Sequence, residues 1–366
     1  MARQAAFPDH SPSQHPTGTP GSPDRNLSSE QPYPAGSGAR RWAVLFKTHF
    51  WDDFVARRFE ALKSKCPASD IWIYVDETSG LAGEIPHDKV FRTRDSDMYA
   101  LGFPRQPVYN INWYNVDYPL LAFHESHAEY AFYIMVEFDA AVLLDLDNLA
   151  VEALSRGIDL IAFPSSQPVA EWSWSRTLVA LWPLDQIRSQ LLCVAGLSER
   201  AVAHLMTTRR EHAARDARGE LQYWPFSEGL VPTALHAAGF KLESLTSFGA
   251  TDYYDWWPPY HESELGDVPE PAFMHPVLCG ERYVRSLLQF ENLAEVWLTE
   301  SQSPLTLKVN LEPPAVVVPA LIEALVRDGN WVGLTTLRQA IDDRGWHNPD
   351  FSRAIDAALE AHRPAP

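Results

Sequence analysis

The sequence predicts an α/β protein with a mostly parallel β-sheet, helices on both faces of the sheet, and a small helical appendage at the carboxyl end. Three observations predict this class. The chain has 366 residues, 46% of them hydrophobic, so it can bury a sizeable core. Apolar β-rich runs alternate with helical patterns between residues 42 and 163, an order typical of parallel sheets. Beyond about residue 281 the patterns are helical.

The amino-terminal half alternates strands and helices. A strand at residues 42–46 precedes a helix at 53–65 and a second strand at 71–75, which closes on Asp76. This order implies a parallel pair joined by a right-handed crossover. A third short strand is predicted at 89–91, a helix at 118–128, and further strands at 131–136 and 159–163.

The rest of the chain is predicted to be mainly helical. Two helices that cover the sheet are expected at 178–195 and 198–215. A later helix has Pro232 near its start and Gly239 just past its end, which places Glu228 on the loop that enters it. Further helices are predicted at 319–326, 332–343 and 350–361, the last opened by Asn348 and Pro349 as cap and first-turn residue.

Composition excludes several classes of partner. The formal net charge of -18 and the pI near 5.1 argue against binding to nucleic acid or anionic lipid, which require clustered Lys and Arg. The cysteines, Cys66, Cys193 and Cys279, are odd in number and far apart, so we expect reduced thiols in a cytoplasmic protein. We find neither a signal sequence nor an apolar run of the roughly 20 residues that span a bilayer.

Three segments are predicted from these patterns. Residues 1–40 are rich in Pro, Ser and Gly and poor in branched aliphatic residues, so we expect a disordered tail. Residues 41–280 carry the alternating strands and helices and form the α/β domain. Residues 281–366 form the helical appendage.

The most informative chemical signal lies at the end of the strand predicted at 131–136. This apolar run finishes in Glu137, Phe138 and Asp139. In open α/β sheets ligands bind at the carboxyl ends of the strands. Carboxylate oxygens suit a hard divalent cation, whose coordination shell phosphate oxygens and water complete. The sequence therefore predicts that Glu137 and Asp139 hold a cation together with a diphosphate.

The acid-x-acid spacing by itself is a weak motif in so acidic a chain. The same spacing occurs at Asp95 and Asp97, at Asp145 and Asp147, and at Glu262 and Glu264. The position at a strand end favours Glu137 and Asp139 over these pairs. Asp145 and Asp147 are the rival pair, although Asp147 more simply caps a helix at residues 149–154.

The order of several motifs resembles a known family. In sequence come Trp113, Asp117-Tyr118, a Tyr/Phe-rich strand, Glu137-x-Asp139, Arg188-Ser189 in a predicted helix, and Glu228 through Pro232-Thr233 to Gly239. Over residues 42–280 this order resembles a poorly characterised family of glycosyltransferases in the nucleotide-diphospho-sugar transferase superfamily. Members of this superfamily have the GT-A fold, in which an acid-x-acid pair binds Mn²⁺ or Mg²⁺ with the nucleotide diphosphate. This chain has Glu where the family pattern has Asp at the first position.

The resemblance implies transfer of a sugar from a nucleotide-sugar donor to a carbohydrate or another hydroxyl acceptor. It implies that Glu137 and Asp139 bind the metal and that His275 returns late in the chain to join them; the alternative for His275 is a hydrogen-bonded structural role. The predicted donor contacts are Thr48, Asp76, Trp113, Asp117 and Arg282. Arg282 is also explained as an exposed helix residue.

Glu228 is the first candidate for a catalytic base or acceptor contact, because the metal pair cannot also deprotonate an acceptor hydroxyl. A helix-stabilising acid at an amino-terminal turn is its alternative role. Asp255 and Asp252 are further candidates, in an aromatic segment at residues 251–260. Aromatic faces with nearby carboxylates suit sugar rings, and they also suit simple packing on the core.

Other functions have less support from the sequence. The chain has no dinucleotide, P-loop, zincin or α/β-hydrolase motif. A glycoside hydrolase holds its two carboxyl groups about 5 to 9.5 Å apart across a cleft, and the close pair Glu137 and Asp139 fits a metal better. A non-catalytic carbohydrate-binding or scaffold protein on the same fold is the alternative of a different class. In that case replacing Glu137 and Asp139 would leave ligand binding nearly unchanged.

Overall fold

The structure, a computed structural model, describes residues 41–104, 111–165 and 167–361. In chain order its strands are β1 (Trp42–Thr48), β2 (Asp70–Asp76), β3 (Val90–Thr93), β4 (Phe132–Glu137), β5 (Ala141–Leu143), β6 (Leu160–Pro164), β7 (Gln190–Ser198), β8 (Leu242–Ser244), β9 (Ala250–Tyr254), β10 (Tyr260–His261), β11 (Ala272–His275) and β12 (Val277–Leu278). Its α-helices are α1 (Asp53–Lys63), α2 (Asp95–Ala100), α3 (Ile111–Tyr114), α4 (Tyr118–Ser126), α5 (Leu146–Arg156), α6 (Glu199–Ala217), α7 (Ser227–Ala237), α8 (Gly280–Leu287), α9 (Leu293–Thr299), α10 (Pro304–Val309), α11 (Pro314–Arg327), α12 (Trp331–Asp343) and α13 (Pro349–Ala361).

A mostly parallel sheet forms the centre of the described residues. Its seven strands lie in the order β3-β2-β1-β4-β7-β6-β8. The strands β3, β2, β1 and β4 run parallel to one another, and β6 runs parallel to β8. Strand β7 is antiparallel to both β4 and β6. A small three-stranded sheet in the order β5-β11-β9 lies at the carboxyl end of β4.

Both faces of the sheet are covered by helices. Along β1, Leu45 points into the core formed with α4, α6 and α7, whereas Val44 and Phe46 point into the core formed with α1 and α5. Successive side chains of a strand alternate between faces, and β1 is apolar from Trp42 to Phe46 because both faces of the sheet are covered there. The predicted α/β class, with a mostly parallel sheet between helical layers, is therefore confirmed.

The helix predicted at residues 178–195 is wrong. This stretch contains a short 3₁₀ turn at Leu184–Gln186 and then β7. Strand β7 lies between β4 and β6, and its residues Leu192 to Leu197 are buried. A short apolar run fits a buried strand as well as a helix, and the sequence does not display the antiparallel neighbours that decide between them. Arg188 consequently lies in the segment before β7 rather than on a helix.

The cap of α5 also differs from the prediction. Asp145, not Asp147, caps this helix, with its carboxylate accepting a hydrogen bond of 2.9 Å from the backbone N–H of Asn148. Asp147 instead accepts bonds from the indole of Trp42 at 2.8 Å and from the backbone N–H of Ala68 at 2.6 Å. The contacts of Asp147 tie α5 to the start of β1, and both carboxylates of this rival pair therefore have structural roles.

The carboxyl-terminal helices form a core of their own. Trp297, Leu321 and Leu337 are fully buried in it. The helices predicted at 319–326, 332–343 and 350–361 are confirmed as α11, α12 and α13, although α11 begins five residues earlier, at Pro314. Phe138 packs against both this core and the core around α1. Because α8 to α13 belong to the same compact unit as the sheet, the domain boundary at residue 280 stays a prediction.

Two further predictions concern segments and location. The tail predicted at residues 1–40 lies outside the described residues. Among the described helices, none combines the length and apolar character needed to cross a bilayer.

Candidate active site

The carboxyl ends of β1, β2 and β4 meet at one edge of the sheet. In the parallel pair β1 and β4, Lys47 is the register partner of Glu137, and β2 ends beside β1 at Asp76. Partner residues of parallel strands face the same side, so the Lys47 ammonium reaches Glu137 Oε1 at 2.8 Å. The edge where ligands bind in open α/β sheets therefore carries an ion pair and a further carboxylate.

The small sheet brings His275 next to Asp139. A turn after β4 is closed by a 2.9 Å hydrogen bond from the backbone N–H of Ala140 to the carbonyl of Glu137. Strand β5, just beyond this turn, pairs with β11, which ends at His275. The backbone N–H of Val277 donates to the carbonyl of Asp139 at 2.6 Å. As a result His275 Nε2 lies 3.8 Å from Asp139 Oδ1.

A backbone contact fixes the orientation of the His275 ring. Its Nδ1 lies 2.6 Å from the carbonyl oxygen of Asp255, and the backbone N–H of Asp255 donates back to the His275 carbonyl at 3.2 Å. A carbonyl can only accept, so Nδ1 carries the proton, and in the neutral ring Nε2 offers a lone pair toward Asp139. Metal-binding histidines are commonly held in this way.

These groups fit a divalent cation. Asp139 Oδ1 is buried and has no hydrogen-bond partner within the described part of the chain. At 3.8 Å from His275 Nε2 it is too far for a hydrogen bond, and two facing acceptors are stabilised by a cation between them. Glu137 and His275 also place ligand atoms within 4.8 Å of each other and of Cys193. Carboxylate oxygens with an imidazole nitrogen suit Mn²⁺, while Mg²⁺ prefers the oxygens alone.

The electrostatics of this group differ from one side chain to the next. Burial acts to raise the pKa of Glu137, but the charge and hydrogen bond of Lys47 outweigh it and hold this pKa below its usual value. Burial raises the pKa of Asp139, and the charge of Glu137 adds to this against the opposing effect of His275. Burial also raises the pKa of Cys193, so its thiol stays protonated and bonds to Glu137. Of Glu137 and Asp139, Asp139 is therefore the one whose ionised form a bound cation would stabilise more.

Asp76 lies beside this group, at the end of β2. It is buried, and its carboxylate accepts a hydrogen bond of 2.9 Å from the backbone N–H of Thr78 and another from the side chain of Asn112. These bonds, opposing the effect of burial, lower the pKa of Asp76. Trp113, which follows Asn112 in sequence, is 49% exposed. Its ring lies near that of Phe226, at a centroid distance of 5.9 Å. Asp76 is thus ionised, and its donor Asn112 precedes a partly exposed aromatic residue in the chain.

The sequence predicts Glu228 on the loop that enters a helix. In the structure Glu228 instead lies in the first turn of that helix, α7. Burial raises the pKa of Glu228 to about 8, and the nearby charge of Glu137 acts in the same direction. The next residue, Gly229, allows α7 to approach its neighbours, because a Cβ atom there would lie 2.9 Å from the Trp172 ring. At neutral pH, Glu228 is therefore mostly a protonated carboxylic acid close to Glu137.

Two other predicted donor contacts, Thr48 and Arg282, each have a partner within the protein. Thr48 is buried, and its hydroxyl donates to the carbonyl of Phe50 at 2.7 Å. Arg282, on α8, pairs with Asp52 at 2.7 Å and lies over the Phe50 ring at 3.9 Å. These contacts tie α8 to the loop after β1, at the rim of the site.

Asp117 is part of a buried ion pair. Its two carboxylate oxygens accept hydrogen bonds from Arg209 at 2.8 and 2.6 Å, and both side chains are at most 3% exposed. Arg209 also donates to the carbonyl of Pro225 at 3.0 Å and lies over the rings of Tyr118 and Trp224. These contacts favour a structural role for Asp117, as the link between α4 and α6.

The aromatic segment after β9 adjoins the site through Asp255. Asp255 is exposed, and its carboxylate accepts a 2.7 Å hydrogen bond from the backbone N–H of Trp256. Trp256 is 54% exposed, whereas Trp257 is anchored by a 3.1 Å bond from its indole to the carbonyl of Ser286. The ring of Phe290 stands edge-on to both indoles. Trp256 is thus an exposed ring on a fixed support.

Sequence reasoning missed three members of the site: Lys47, Asn112 and Cys193. Lys47 was open to detection, because it directly follows the first predicted strand and the ends of parallel strands share one edge. Asn112 and Cys193 carry no comparable signal. Cys193 falls in the stretch predicted as a helix, and that part of the chain is strand β7. Asn112 is far from Asp76 in sequence, and only the tertiary fold brings the two side chains together.

Comparisons with known proteins find similar solved structures at low sequence identity. Searches of protein-family models and of curated protein sequences find no match to this chain. Among solved structures, the galactosyltransferase LgtC in complex with donor and acceptor sugar analogs is similar at 12% identity, with a TM-score of 0.38 over 64% of this chain and 86% of LgtC. An active-site mutant of LgtC gives a TM-score of 0.39 at 12% identity, over 75% of this chain and 98% of that one. Mouse xyloside xylosyltransferase 1 in its apo form gives 0.34 at 10% identity, over 56% and 84%.

These three structures are of glycosyltransferases, with TM-scores of 0.34 to 0.39 and identities of 10 to 12%. Their similarity to this chain concerns the fold, and their activities do not transfer with it. The function is therefore inferred from the side chains of the chain itself.

Proposed function

We propose that this chain is a glycosyltransferase that binds a nucleoside-diphosphate sugar at the carboxyl edge of its sheet, with Mn²⁺ or Mg²⁺, and transfers the sugar to a hydroxyl acceptor. One observation carries the proposal. Asp139 Oδ1 and His275 Nε2 face each other at 3.8 Å beside Glu137, with no donor from the described residues bonded to that oxygen. Acceptors arranged in this way at strand ends support a cation site, and a diphosphate needs one.

The side chains around the site take distinct roles in this proposal. Asp139 and His275, with Glu137, would hold the cation, which offsets the charge on the diphosphate leaving group. Asp76 is ionised and fixed by backbone and side-chain donors, so it can accept hydrogen bonds from the nucleoside hydroxyls. The exposed face of Trp113 suits stacking on a base or a sugar ring.

Glu228 is the proposed general base. The acceptor oxygen forms a bond to the anomeric carbon, the bond from that carbon to the diphosphate oxygen breaks, and the hydroxyl proton passes to the Glu228 carboxylate. A pKa of about 8 makes this carboxylate a far stronger base than an ordinary Glu. With this pKa, only about a tenth of the Glu228 carboxyl group is ionised at pH 7.

The aromatic segment supports a carbohydrate as the acceptor. Trp256 is exposed and is one residue from Asp255, whose carbonyl holds the candidate ligand His275. A sugar ring stacks its C–H face on an indole while its hydroxyls bond to neighbouring carboxylates. Asp252 and Asp255 are exposed in the same segment and can supply those carboxylates.

The test is a thermal-shift panel on the full chain. UDP, GDP, CDP and ADP are added with and without MnCl₂ to the wild type, to Asp139→Asn and His275→Gln, and to the control Asp356→Asn on α13. A nucleotide at a hundredfold excess over its Kd raises stability by about 2.7 kcal/mol. We expect a Mn²⁺-dependent shift with one nucleotide, lost in the two site variants and kept in the control. Folded protein that shifts with none of them would contradict the proposal.

A glycoside hydrolase is the second candidate, favoured by one observation. The pKa of Glu137 lies below its usual value, whereas that of Glu228 is raised to about 8. Hydrolases use such a pair, with one carboxylate as nucleophile or base and one protonated acid. Cleavage of nitrophenyl glycosides without nucleotide, and insensitive to EDTA, would favour this function over the transferase.

A further inference from the structure

Lys47 places an ammonium group inside the candidate site. It lies near the end of β1, opposite Glu137 in the register, and its side chain is only 12% exposed. Its ammonium donates to Glu137 Oε1 at 2.8 Å and to the carbonyl of Asn112 at 3.1 Å. A lysine held at a ligand-binding edge by a candidate metal ligand requires an explanation beyond packing.

The charges around Lys47 show what it does in the protein without ligand. Asp76, Glu137 and Asp139 bring three carboxylates to this edge, and the charge of Lys47 acts to lower the pKa of each of them. The pKa of Glu137 is lowered both by the charge of Lys47 and by its hydrogen bond. Lys47 thus stabilises the ionised carboxylates before any other cation is present.

The same contact creates a competition. Glu137 Oε1 accepts from the ammonium of Lys47, so a divalent cation on Glu137 would share this carboxylate with the ammonium and be repelled by its charge. Lysine has a flexible four-carbon stem and a compact ammonium, and phosphate oxygens bind that ammonium well. A bound diphosphate would therefore offer Lys47 a second partner when Glu137 is taken up by metal.

We propose that Lys47 couples cation binding to diphosphate binding, by pairing with Glu137 in the protein without ligand and turning to the diphosphate when donor and cation bind together. This inference rests on the proposed function, because it takes Glu137 as a metal ligand and a diphosphate as the ligand. It adds that neither the cation nor the diphosphate binds well alone. Such coupling is reciprocal, so each strengthens the other by the same factor.

The experiment measures binding rather than turnover. Isothermal titration of the full chain with Mn²⁺ alone, with inorganic pyrophosphate alone, and with Mn²⁺ at saturating pyrophosphate gives the coupling factor without knowledge of the base or the sugar. The variants are Lys47→Met and, as a matched control, Lys65→Met, which removes the ammonium that pairs with Glu270 at 2.9 Å on the surface. Thermal unfolding confirms that each variant is folded.

The wild type and the two variants should give different results. In the wild type, pyrophosphate should strengthen Mn²⁺ binding by at least tenfold, within the usual range of coupling between sites. In Lys47→Met, Mn²⁺ alone should bind several-fold more tightly because the competing ammonium is gone, pyrophosphate alone should bind more weakly, and the coupling factor should fall to about threefold or less. Lys65→Met should behave like the wild type.

Other outcomes separate the two claims. Coupling in Lys47→Met equal to that in the wild type would overturn this inference and leave the proposed function standing. A wild type that binds Mn²⁺ neither alone nor with pyrophosphate or any nucleotide would overturn the proposed function itself. If Lys47→Met does not fold, Lys47→Arg tests the same point, because a guanidinium pairs more firmly with a carboxylate. Mn²⁺ alone should then bind no better than to the wild type, and tighter binding would contradict the inference.

Discussion

Glu228 differs from the other carboxylates of the site because its surroundings retain its proton. Burial and the charge of Glu137 raise its pKa to about 8, against the effects of Lys47 and of a backbone hydrogen bond from Leu192. Asp76 and Glu137 have pKa values below their usual ones. The group that must accept a proton is thus distinguished from those that must stay charged.

Replacing Glu228 should change the pH dependence of the reaction. A base acts only when it is deprotonated, so the kcat/KM of the wild type should rise with pH and level off above an apparent pKa of about 8. Glu228→Gln should lower kcat by roughly 10²- to 10⁴-fold and remove this rise. The measurement is the pH–rate profile once a donor is identified.

Nucleotide binding serves as the control for this prediction. Glu228→Gln should leave the Mn²⁺-dependent thermal shift intact, because Glu228 contacts neither the cation nor the diphosphate in the proposal. A variant that keeps the rising limb near pH 8 would assign the base to another group, with Asp255 the next candidate.

Breaking the buried pair of Asp117 and Arg209 should destabilise the protein strongly. Both side chains are at most 3% exposed, so removing one partner leaves a buried charge without compensation. Asp117→Ala should lower the free energy of unfolding by about 3–5 kcal/mol. Urea denaturation followed by circular dichroism measures this difference.

An exposed ion pair provides the comparison. Arg338 and Asp356 pair on the surface of the appendage, with side chains 45% and 63% exposed, so Asp356→Ala should cost less than about 1 kcal/mol. Replacing both buried partners, as Asp117→Leu with Arg209→Met, should recover part of the lost stability. Equal effects of Asp117→Ala and Asp356→Ala would argue against a structural role for Asp117.

At the level of elements, the segment between β9 and β10 presents one exposed indole on a supported base. Trp256→Ala should weaken carbohydrate binding by about 1 kcal/mol, roughly fivefold in Kd or acceptor KM, because a stacking surface is lost. Donor binding should not change. A glycan array probed with the full chain, followed by titration of the best ligand, measures the effect.

The control for this prediction is another exposed indole. Trp331 on α12 is 38% exposed, and Trp331→Ala removes a similar ring far along the chain. Equal loss of carbohydrate binding in both variants, or no loss in Trp256→Ala, would contradict an acceptor surface at residues 255–259.

Elements were predictable where local pattern and tertiary environment agree. The strands β1, β2 and β4 are apolar runs that end at charged or polar residues, and their parallel pairing follows from the helices between them. Strand β7 was not predictable, because its neighbours β4 and β6 lie far away in sequence and its pattern also fits a helix. The cap of α5 failed for a similar reason, since Asp147 has distant partners in Trp42 and Ala68.

For the whole molecule, the sequence predicted the edge of the sheet that carries the site. Glu137 and Asp139 are predicted from the pattern because strand ends are visible in it and ligands bind there, whereas the role of Asp76 is implied by the resemblance. His275 was placed by resemblance, and the structure brings it within 3.8 Å of Asp139. The ion pair of Lys47 with Glu137 and the orientation of the His275 ring depend on contacts between distant segments, which a single sequence does not display.

Phe138 gives the carboxyl-terminal helices an influence over the site. Phe138 lies between Glu137 and Asp139 in the sequence. Its ring packs against both the core around α1 and the core of the appendage. The stability of a protein is not uniform, and peripheral helices can open before the central sheet does. If the appendage opens first, Phe138 loses part of its support, and the turn that aims Glu137 and Asp139 loosens while the sheet persists. Heat inactivation would then precede global unfolding, and limited proteolysis within α8 to α13 would abolish activity in a chain whose sheet is still intact.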